Sequence, residues 1–370
     1  MKNLKFSEFM KLLCQGTNGF SALKMYFLEI TDEELIHYLA NGEKGAKELF
    51  LVAVDPGRLD SEEQVLLVEY FAQGKIEKKL LDHYIKKGCW FTNDAIDKLV
   101  DCVINDVEGA KELLIAYCKK SERYVGKKCS DKLIGAYADG RVDLFEVVLA
   151  WVGGMEVSDN SVKILMEAAI HNNVKGMNEV LKSLRGRNCR AGDVVLVQYF
   201  AQGNERAKEL LEQRLDDPKS FSDKAQVELV KCIGNPNLDQ SFIKKVLKVI
   251  FQHSSVEEEA LIMLINYFLQ GVNGSENIIR LYLSTGNWLK DKAVEKLTKY
   301  IEQSTDDCLV KKCIEFLSQH LDNGGYLPKE AQLSLVRCLI EGKDIPLTLL
   351  KHIFCEEAMM MMIEALKKDK

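Results

Sequence analysis

The chain has 370 residues, of which 47% are hydrophobic, and its formal net charge is −6 at pH 7. The hydrophobic fraction is that of a packed protein and excludes a disordered one, and the mild acidity argues against a protein whose main task is to coat DNA or RNA. Only five prolines occur, which favours long helices over a turn-rich sheet.

Residues 1–29 precede the repeated part of the chain. Four apolar residues there fall on one helical face: Phe6, Phe9, Met10 and Leu13. We therefore predict that residues 1–29 form an N-terminal cap helix, because the end of a repeat array needs a cover. Lysines and aromatics are interleaved instead of forming a basic head and an apolar run, so no secretory signal peptide is predicted. No apolar run in the chain approaches the roughly 20 residues of a membrane span.

A five-residue sequence, Tyr-Phe-Ala-Gln-Gly, occurs at residues 70–74 and again at residues 199–203. Residues 267–271 differ from it at one position, and residues 38–42 are a looser copy. The copies are separated by near multiples of roughly 32 to 34 residues, a period typical of helical repeat proteins. The sequence therefore predicts an array of repeats.

Aligning the chain on this tyrosine gives ten repeats, with an anchor residue in each: Tyr38, Tyr70, Cys102, Tyr137, Ala169, Tyr199, Cys232, Tyr267, Tyr300 and Cys338. Three residues before the anchor every repeat is apolar, and seven before it five repeats have alanine. These offsets trace one stripe of a helix, so we predict that the stripe, with its tyrosines, is the core. Five repeats have glycine four residues after the anchor, where a helix can end in the left-handed conformation.

Each repeat is predicted to be a helix, a short turn and a second helix. Thr31 and Glu34 make a capping box at the first helix start, and Ala-Lys-Glu-Leu opens second helices at residues 46, 110 and 207. The joints between repeats are short and contain no Pro/Gly/Ser-rich linker. We therefore predict one continuous domain, with the array over residues 30–355 and a C-terminal cap helix and tail over residues 356–370.

The Leu-x-x-Tyr-x-x-x-Gly core and the helix-pair repeat resemble the α-solenoid superfamily of HEAT, armadillo, tetratricopeptide and pentatricopeptide arrays. The likeness covers residues 30–355 in pattern. The Leu-Gly step and the final proline of tetratricopeptide repeats are missing, as is the polar pair with which pentatricopeptide repeats read bases, so the chain is most similar to a divergent HEAT-like or armadillo-like array. The resemblance implies an all-α, right-handed α-solenoid of about ten antiparallel helix pairs of roughly 33 residues.

Three aromatic residues occupy matching places in the joints between repeats: Trp90, Trp288 and Tyr326. Exposed aromatics in series are good anchors for a protein partner. The alternative is that each ring fills the gap between adjacent repeats. The repeated tyrosines have a similar alternative to the core, which is to line a binding groove.

Two basic clusters follow the second helices of repeats that are two apart. They comprise Lys119, Lys120, Arg123, Lys127 and Lys128, and then Lys182, Arg185, Arg187 and Arg190. On one edge of an array they would form a positive strip for an acidic protein or a nucleic-acid backbone. The alternative is that they are solvated loops and cations at helix C-termini.

The sequence offers no catalytic or cofactor motif. The six histidines lack His-x-x-x-His or HExxH spacing, and no GxxxxGK[ST], GxGxxG or GxSxG occurs. The eleven cysteines contain no CxxC pair, which favours a reducing, cytoplasmic location. Three of them, Cys102, Cys232 and Cys338, are anchors and are predicted to be small core residues. We expect no catalytic residue, no metal and no cofactor.

The repeats favour a non-catalytic scaffold that binds another protein or peptide along an extended helical surface. One alternative is nucleic-acid binding through the basic clusters, by analogy with HEAT-like DNA glycosylases. Another is a secreted bacterial effector whose helical repeats bind a partner. The sequence leaves the oligomeric state open.

Overall fold

The computed structural model describes residues 31–43, 46–53, 59–88, 90–120, 127–171, 174–184, 190–216, 221–253 and 256–368. Within these ranges the regular secondary structure is helical and contains no strand, which confirms the all-α prediction. The cap helix predicted for residues 1–29 lies outside the described residues.

The chain divides into two compact units, which we call unit 1 (Met1–Arg187) and unit 2 (Asn188–Lys370). The helices of unit 1 are α1 (Asp32–Ala40), α2 (Ala46–Ala53), α3 (Ser61–Ala72), α4 (Lys78–Lys86), α5 (Asn93–Ile104), α6 (Ala110–Lys120), α7 (Lys127–Ala138), α8 (Phe145–Gly154), α9 (Asp159–His171) and α10 (Met177–Leu184). A 3-10 turn over Val142–Leu144 leads into α8.

Unit 2 is likewise built from successive helices joined by short turns. They are α11 (Arg190–Ala201), α12 (Glu205–Arg214), α13 (Asp223–Lys231), α14 (Gln240–His253), α15 (Glu258–Leu269), α16 (Ser275–Ser284), α17 (Asp291–Gln303), α18 (Asp307–Asp322), α19 (Lys329–Ile340), α20 (Leu347–Leu350) and α21 (Glu356–Lys368). The single-domain organisation inferred from the sequence stays a prediction.

Within each unit, helices that are two apart in the chain pack against each other. In unit 1 the odd-numbered helices from α1 to α9 contact one another in succession, and so do the even-numbered helices from α2 to α10. In unit 2 the odd-numbered helices from α11 to α21 do the same, as do the even-numbered helices from α14 to α20. Each repeat therefore contributes one helix to each of two rows, as expected for stacked helix pairs.

The apolar stripe of the odd-numbered helices forms the core between them. All ten residues three before the anchor are buried: Leu35, Leu67, Leu99, Ile134, Met166, Leu196, Leu229, Leu264, Leu297 and Leu335. Burying one such side chain contributes about 1.5 to 3 kcal/mol. The alanines seven before the anchor are buried as well: Ala95, Ala225, Ala260, Ala293 and Ala331. A methyl group at this position lets neighbouring helices approach closely.

The glycines four residues after the anchor end helices as predicted. They are Gly42, Gly74, Gly203, Gly271 and Gly342, and their φ angles lie between 69° and 82°. Only glycine adopts this left-handed conformation without a side-chain clash. The capping box of Thr31 and Glu34 is also present, with hydrogen bonds of 3.0 and 3.1 Å.

The prediction that the repeated tyrosines are core residues is wrong for most of them. Tyr137 is fully buried, but five other anchor tyrosines are only half-buried: Tyr38, Tyr70, Tyr199, Tyr267 and Tyr300. The residue after the anchor, such as Phe71 or Phe200, takes the buried place instead. It stands four residues after the invariably apolar position, so the two share one helical face. The tyrosine lies at the edge of that face, and the Tyr70 hydroxyl is hydrogen-bonded to His37 Nδ1 at 2.7 Å.

Polar contacts between neighbouring repeats recur at the repeat spacing. Ion pairs join Lys111 to Asp143 and Lys312 to Glu276, whose sequence separations are 32 and 36 residues. Lys120 Nζ also reaches back to donate to the Lys86 carbonyl at 2.9 Å, at the C-terminus of α4. Such contacts satisfy the last carbonyls of a helix, which have no partner within that helix.

Candidate partner-binding surface

In five repeats a polar side chain six residues before the anchor connects the next joint to the repeat before it. We call this the clamp position, and five repeats have a polar residue there with the same role: Gln64, Asp131, Asp193, Gln226 and Gln332. Each accepts a hydrogen bond from one of the last two residues before the next odd-numbered helix. The recurring Gln or Asp at one offset is the only trace of these hydrogen bonds in the sequence, and it did not lead us to predict them.

Gln64 shows how the clamp works. Its buried side chain accepts from the Thr92 N–H at 2.6 Å and donates to the Leu59 carbonyl at 2.9 Å. Both backbone groups lie outside a helix, and a buried backbone group without a partner costs about 1 to 3 kcal/mol. The clamp therefore fixes the backbone of the joint while it satisfies these groups.

Asp193 is a charged form of the same clamp. Its carboxylate is fully buried, accepts from Arg214 Nε at 2.8 Å and accepts from the Ser222 N–H at 3.0 Å. One side chain thus connects α11, the end of α12 and the start of α13. Because Arg214 is buried too, loss of the carboxylate would leave a buried charge without its counter-ion.

The joint around Trp288 uses another residue in place of the clamp. Leu261 stands at the clamp position, and His320 of α18 supplies the missing acceptor. Its Nδ1 accepts from the Leu289 N–H at 3.0 Å, and its Nε2 donates to the Tyr326 carbonyl at 2.8 Å. This arrangement requires the neutral imidazole with its proton on Nε2. Burial lowers the pKa of His320 and so favours that neutral form.

Further hydrogen bonds hold the backbone on both sides of this joint. The Tyr282 hydroxyl donates to the Trp288 carbonyl at 2.8 Å, and Asn323 Nδ2 donates to the Asn287 carbonyl at 2.6 Å. The Tyr326 hydroxyl donates to Asp291 Oδ2 at 2.8 Å, and this bond raises the pKa of Tyr326. The ring of Tyr326 is thereby oriented at its free end.

Trp288 and Tyr326, which we call the aromatic pair, are nevertheless among the most exposed large side chains described. Trp288 is 50% exposed and Tyr326 is 59% exposed. His320 hydrogen-bonds both the Leu289 N–H and the Tyr326 carbonyl, so the two joints that contain Trp288 and Tyr326 are neighbours in unit 2. Aromatic side chains have few rotatable bonds and therefore lose little conformational entropy when a partner covers them.

Trp90 stands at the matching place in unit 1 but is less exposed than Trp288, because it packs against its own repeat. Its ring lies 6.3 Å from the ring of Tyr117 in an edge-on arrangement, and Tyr117 also packs on Phe91 at 5.6 Å. The three rings form an aromatic cluster inside the joint. Trp90 therefore presents less surface to a partner than Trp288 does.

The structure describes only part of the two basic clusters. Lys119, Lys120 and Lys128 of unit 1 are exposed, and so is Arg190 at the start of α11 in unit 2. Lys120 is engaged by the end of α4, which gives it a structural role. Four predicted site residues fall outside the described residues or have side chains that do: Arg123, Lys127, Arg185 and Arg187. The strip that would unite the clusters stays a prediction.

The buried anchor cysteines are unreactive parts of the core. Cys102, Cys232 and Cys338 are buried, and burial raises the pKa of Cys232 and of Cys338 to about 11. A thiol with a raised pKa is a poor nucleophile. They are free thiols in the structure, which agrees with their predicted role as small core residues.

Open grooves lie along the turns that join the two helices of a pair. One in unit 1 has a volume of about 1160 Å³ and is lined by side chains of both charges, including Lys78, Asp82 and Glu112. Within the described ranges, no group of three or more His, Cys, Asp or Glu side chains is placed to hold a metal ion. None of the helices described is both long and apolar enough to cross a bilayer.

No protein-family model matches the chain, and no curated protein matches it.

Proposed function

We propose that this protein is a non-catalytic scaffold that binds another protein or a peptide, with the aromatic pair of unit 2 as its anchor. The observation that carries this proposal is the exposure of Trp288 and Tyr326 on two neighbouring joints whose backbones are held by hydrogen bonds from Tyr282, His320 and Asn323. Trp and Tyr are enriched among the residues that contribute most to protein–protein binding, and an exposed apolar patch is typical of an interaction site. The stacked helix pairs, which we expect to continue as a right-handed α-solenoid, would extend the surface on either side.

The chemistry of the surface indicates the kind of partner. Trp288 offers an apolar face, and the Tyr326 hydroxyl is already engaged by Asp291, so both rings present mainly hydrophobic area. Lys290 is exposed two residues after Trp288. These features favour a segment with one or two apolar side chains beside an acidic residue, which would pair with Lys290.

Selection from a random peptide library on the immobilised full chain tests the proposal. Enriched peptides should bind the wild-type chain in solution, and Trp288→Ala combined with Tyr326→Ala should weaken binding at least tenfold, as is typical of hot-spot residues. Val142 is 49% exposed in unit 1 and gives a matched control, because Val142→Ala should leave binding unchanged. Failure to enrich any peptide, or binding that survives the double substitution, would contradict the proposal.

A binding assay with nucleic acids addresses the alternative function. Single-stranded and double-stranded DNA and RNA of random sequence would be added at low and high salt. A complex that weakens steeply with salt and is indifferent to the aromatic pair would favour the basic clusters instead.

A further inference from the structure

Helix α21 presents an exposed stripe on the side that faces away from α19. Its inner side packs through the buried Ala358, with Met361 and Met362 partly buried against Leu333 and Val336. On the outer side four exposed residues are spaced by four, three and four positions: Glu356, Met360, Ile363 and Lys367. This spacing places them on one face of the helix.

The stripe is symmetric in its chemistry. Met360 and Ile363 are 49% and 45% exposed and lie equally far from the middle of the stripe. Glu356 and Lys367 are also equally far from it, and they have opposite charges at the two ends, about 16 Å apart along the helix axis. When two copies of such a helix meet in antiparallel orientation, each residue faces its mirror position on the other copy.

We propose that a second copy of this chain covers this stripe, so that the protein forms a two-fold symmetric dimer through antiparallel α21 helices. Met360 of each copy then packs on Ile363 of the other, and Glu356 of each copy pairs with Lys367 of the other. A two-fold interface requires a surface that is complementary to itself, and this order of acidic, apolar, apolar and basic residues meets the requirement. The exposed Met359 and Phe354 beside the stripe extend its apolar area. The proposal does not depend on the aromatic pair.

Sedimentation equilibrium of the full chain over a range of concentrations tests the dimer. The wild-type chain should show a reversible monomer–dimer equilibrium. Met360→Lys combined with Ile363→Lys should raise the dimer Kd at least tenfold, because it places like charges in the centre of the interface. Val142→Lys, at an exposed apolar residue of unit 1, should leave the Kd unchanged.

A charge exchange then tests the antiparallel register. Glu356→Lys alone and Lys367→Glu alone should each raise the Kd by about threefold, as expected for exposed ion pairs. The double variant should return the Kd to near the wild-type value, because each new lysine again faces a new glutamate on the other copy. Both changes are unfavourable for the dipole of α21 itself, so this recovery cannot arise from a more stable helix.

Three results would overturn the proposal. A chain that stays monomeric at every concentration has its stripe covered by something other than a second copy. A dimer that tolerates both lysines at 360 and 363 uses another surface. A double charge variant that dimerises more weakly than either single variant excludes the antiparallel register.

Discussion

The joints around Trp90 and Trp288 have the same pattern of glycine, one residue and tryptophan, yet they are built differently. In unit 1, Gln64 of the preceding odd-numbered helix holds the joint, and Trp90 packs in a cluster with Tyr117 and Phe91. In unit 2, a histidine of the following even-numbered helix holds the joint, and Trp288 is 50% exposed. The difference teaches that the neighbouring helix, and not the local motif, decides whether a joint tryptophan is packed or exposed.

The largest change in the free energy of unfolding is expected when the side chain that holds a joint is removed. His320→Leu leaves the Leu289 N–H and the Tyr326 carbonyl without partners, and Gln64→Leu does the same to the Thr92 N–H and the Leu59 carbonyl. Each should lower the free energy of unfolding by about 2 to 4 kcal/mol, as measured by urea denaturation. The exposed Gln73 is the control, since Gln73→Leu should change it by less than about 0.5 kcal/mol. If His320→Leu left the free energy of unfolding unchanged, His320 would not hold its joint in the way that Gln64 holds the other.

Overpacking at the histidine joint should have the next largest effect. A methyl group at Gly325 would lie 2.1 Å from the His320 ring, so Gly325→Ala must displace the imidazole from its two backbone partners. We expect a loss of about 1 to 3 kcal/mol in the free energy of unfolding. Gly153, near the end of α8, has no atom within 4 Å of such a methyl group. Gly153→Ala should therefore be neutral or slightly stabilising, and an equal loss at both sites would contradict the close packing at Gly325.

Replacing Trp90 and Trp288 in turn should show which of the two rings stabilises the fold by packing. Trp90→Ala removes a ring from the cluster with Tyr117 and should cost about 1 to 2 kcal/mol, because the ring is half-buried. Trp288→Ala should change the free energy of unfolding by less than about 0.5 kcal/mol, although it removes an anchor of the proposed surface. Thermal and urea unfolding of both variants give the comparison. A larger cost at Trp288 would assign that ring to packing.

The dependence of stability on pH should be the smallest difference between the joints. His320 has a pKa below its ordinary value of 6.5 because burial disfavours the charged ring. The unfolded chain then binds more protons than the folded chain in this range, so the contribution of His320 is complete above pH 6.5 and is lost as the pH falls toward the folded-state pKa. The difference in stability between wild type and His320→Gln should shrink as the pH falls below 6.5. The corresponding difference for Gln64→Leu should stay constant.

The repeat and its helix pairs could be predicted from the sequence because they rest on periodic features. The apolar residue before each anchor and the glycine after it are buried core and left-handed helix ends, as the spacing indicated. The clamp residues were missed because Gln and Asp on an amphipathic helix normally face solvent, and only the folded chain shows that their partners lie in the next joint, as the Thr92 and Ser222 N–H groups do. The same holds for His320, which the sequence shows only as one of several scattered histidines. Half-buried tyrosines were assigned to the core because spacing alone does not separate the centre of an apolar face from its edge.

The most direct test of the proposed function is the emission of Trp288 during binding. In a full-length chain with Trp90→Phe and Trp151→Phe, Trp288 is the remaining tryptophan, and a peptide enriched on the wild-type chain would be added at increasing concentration. If Trp288 is an anchor, its emission should shift to the blue and its quenching by iodide should decrease along the binding curve. Unchanged emission and quenching at saturating peptide would contradict the account, because the partner would then bind without covering the aromatic pair.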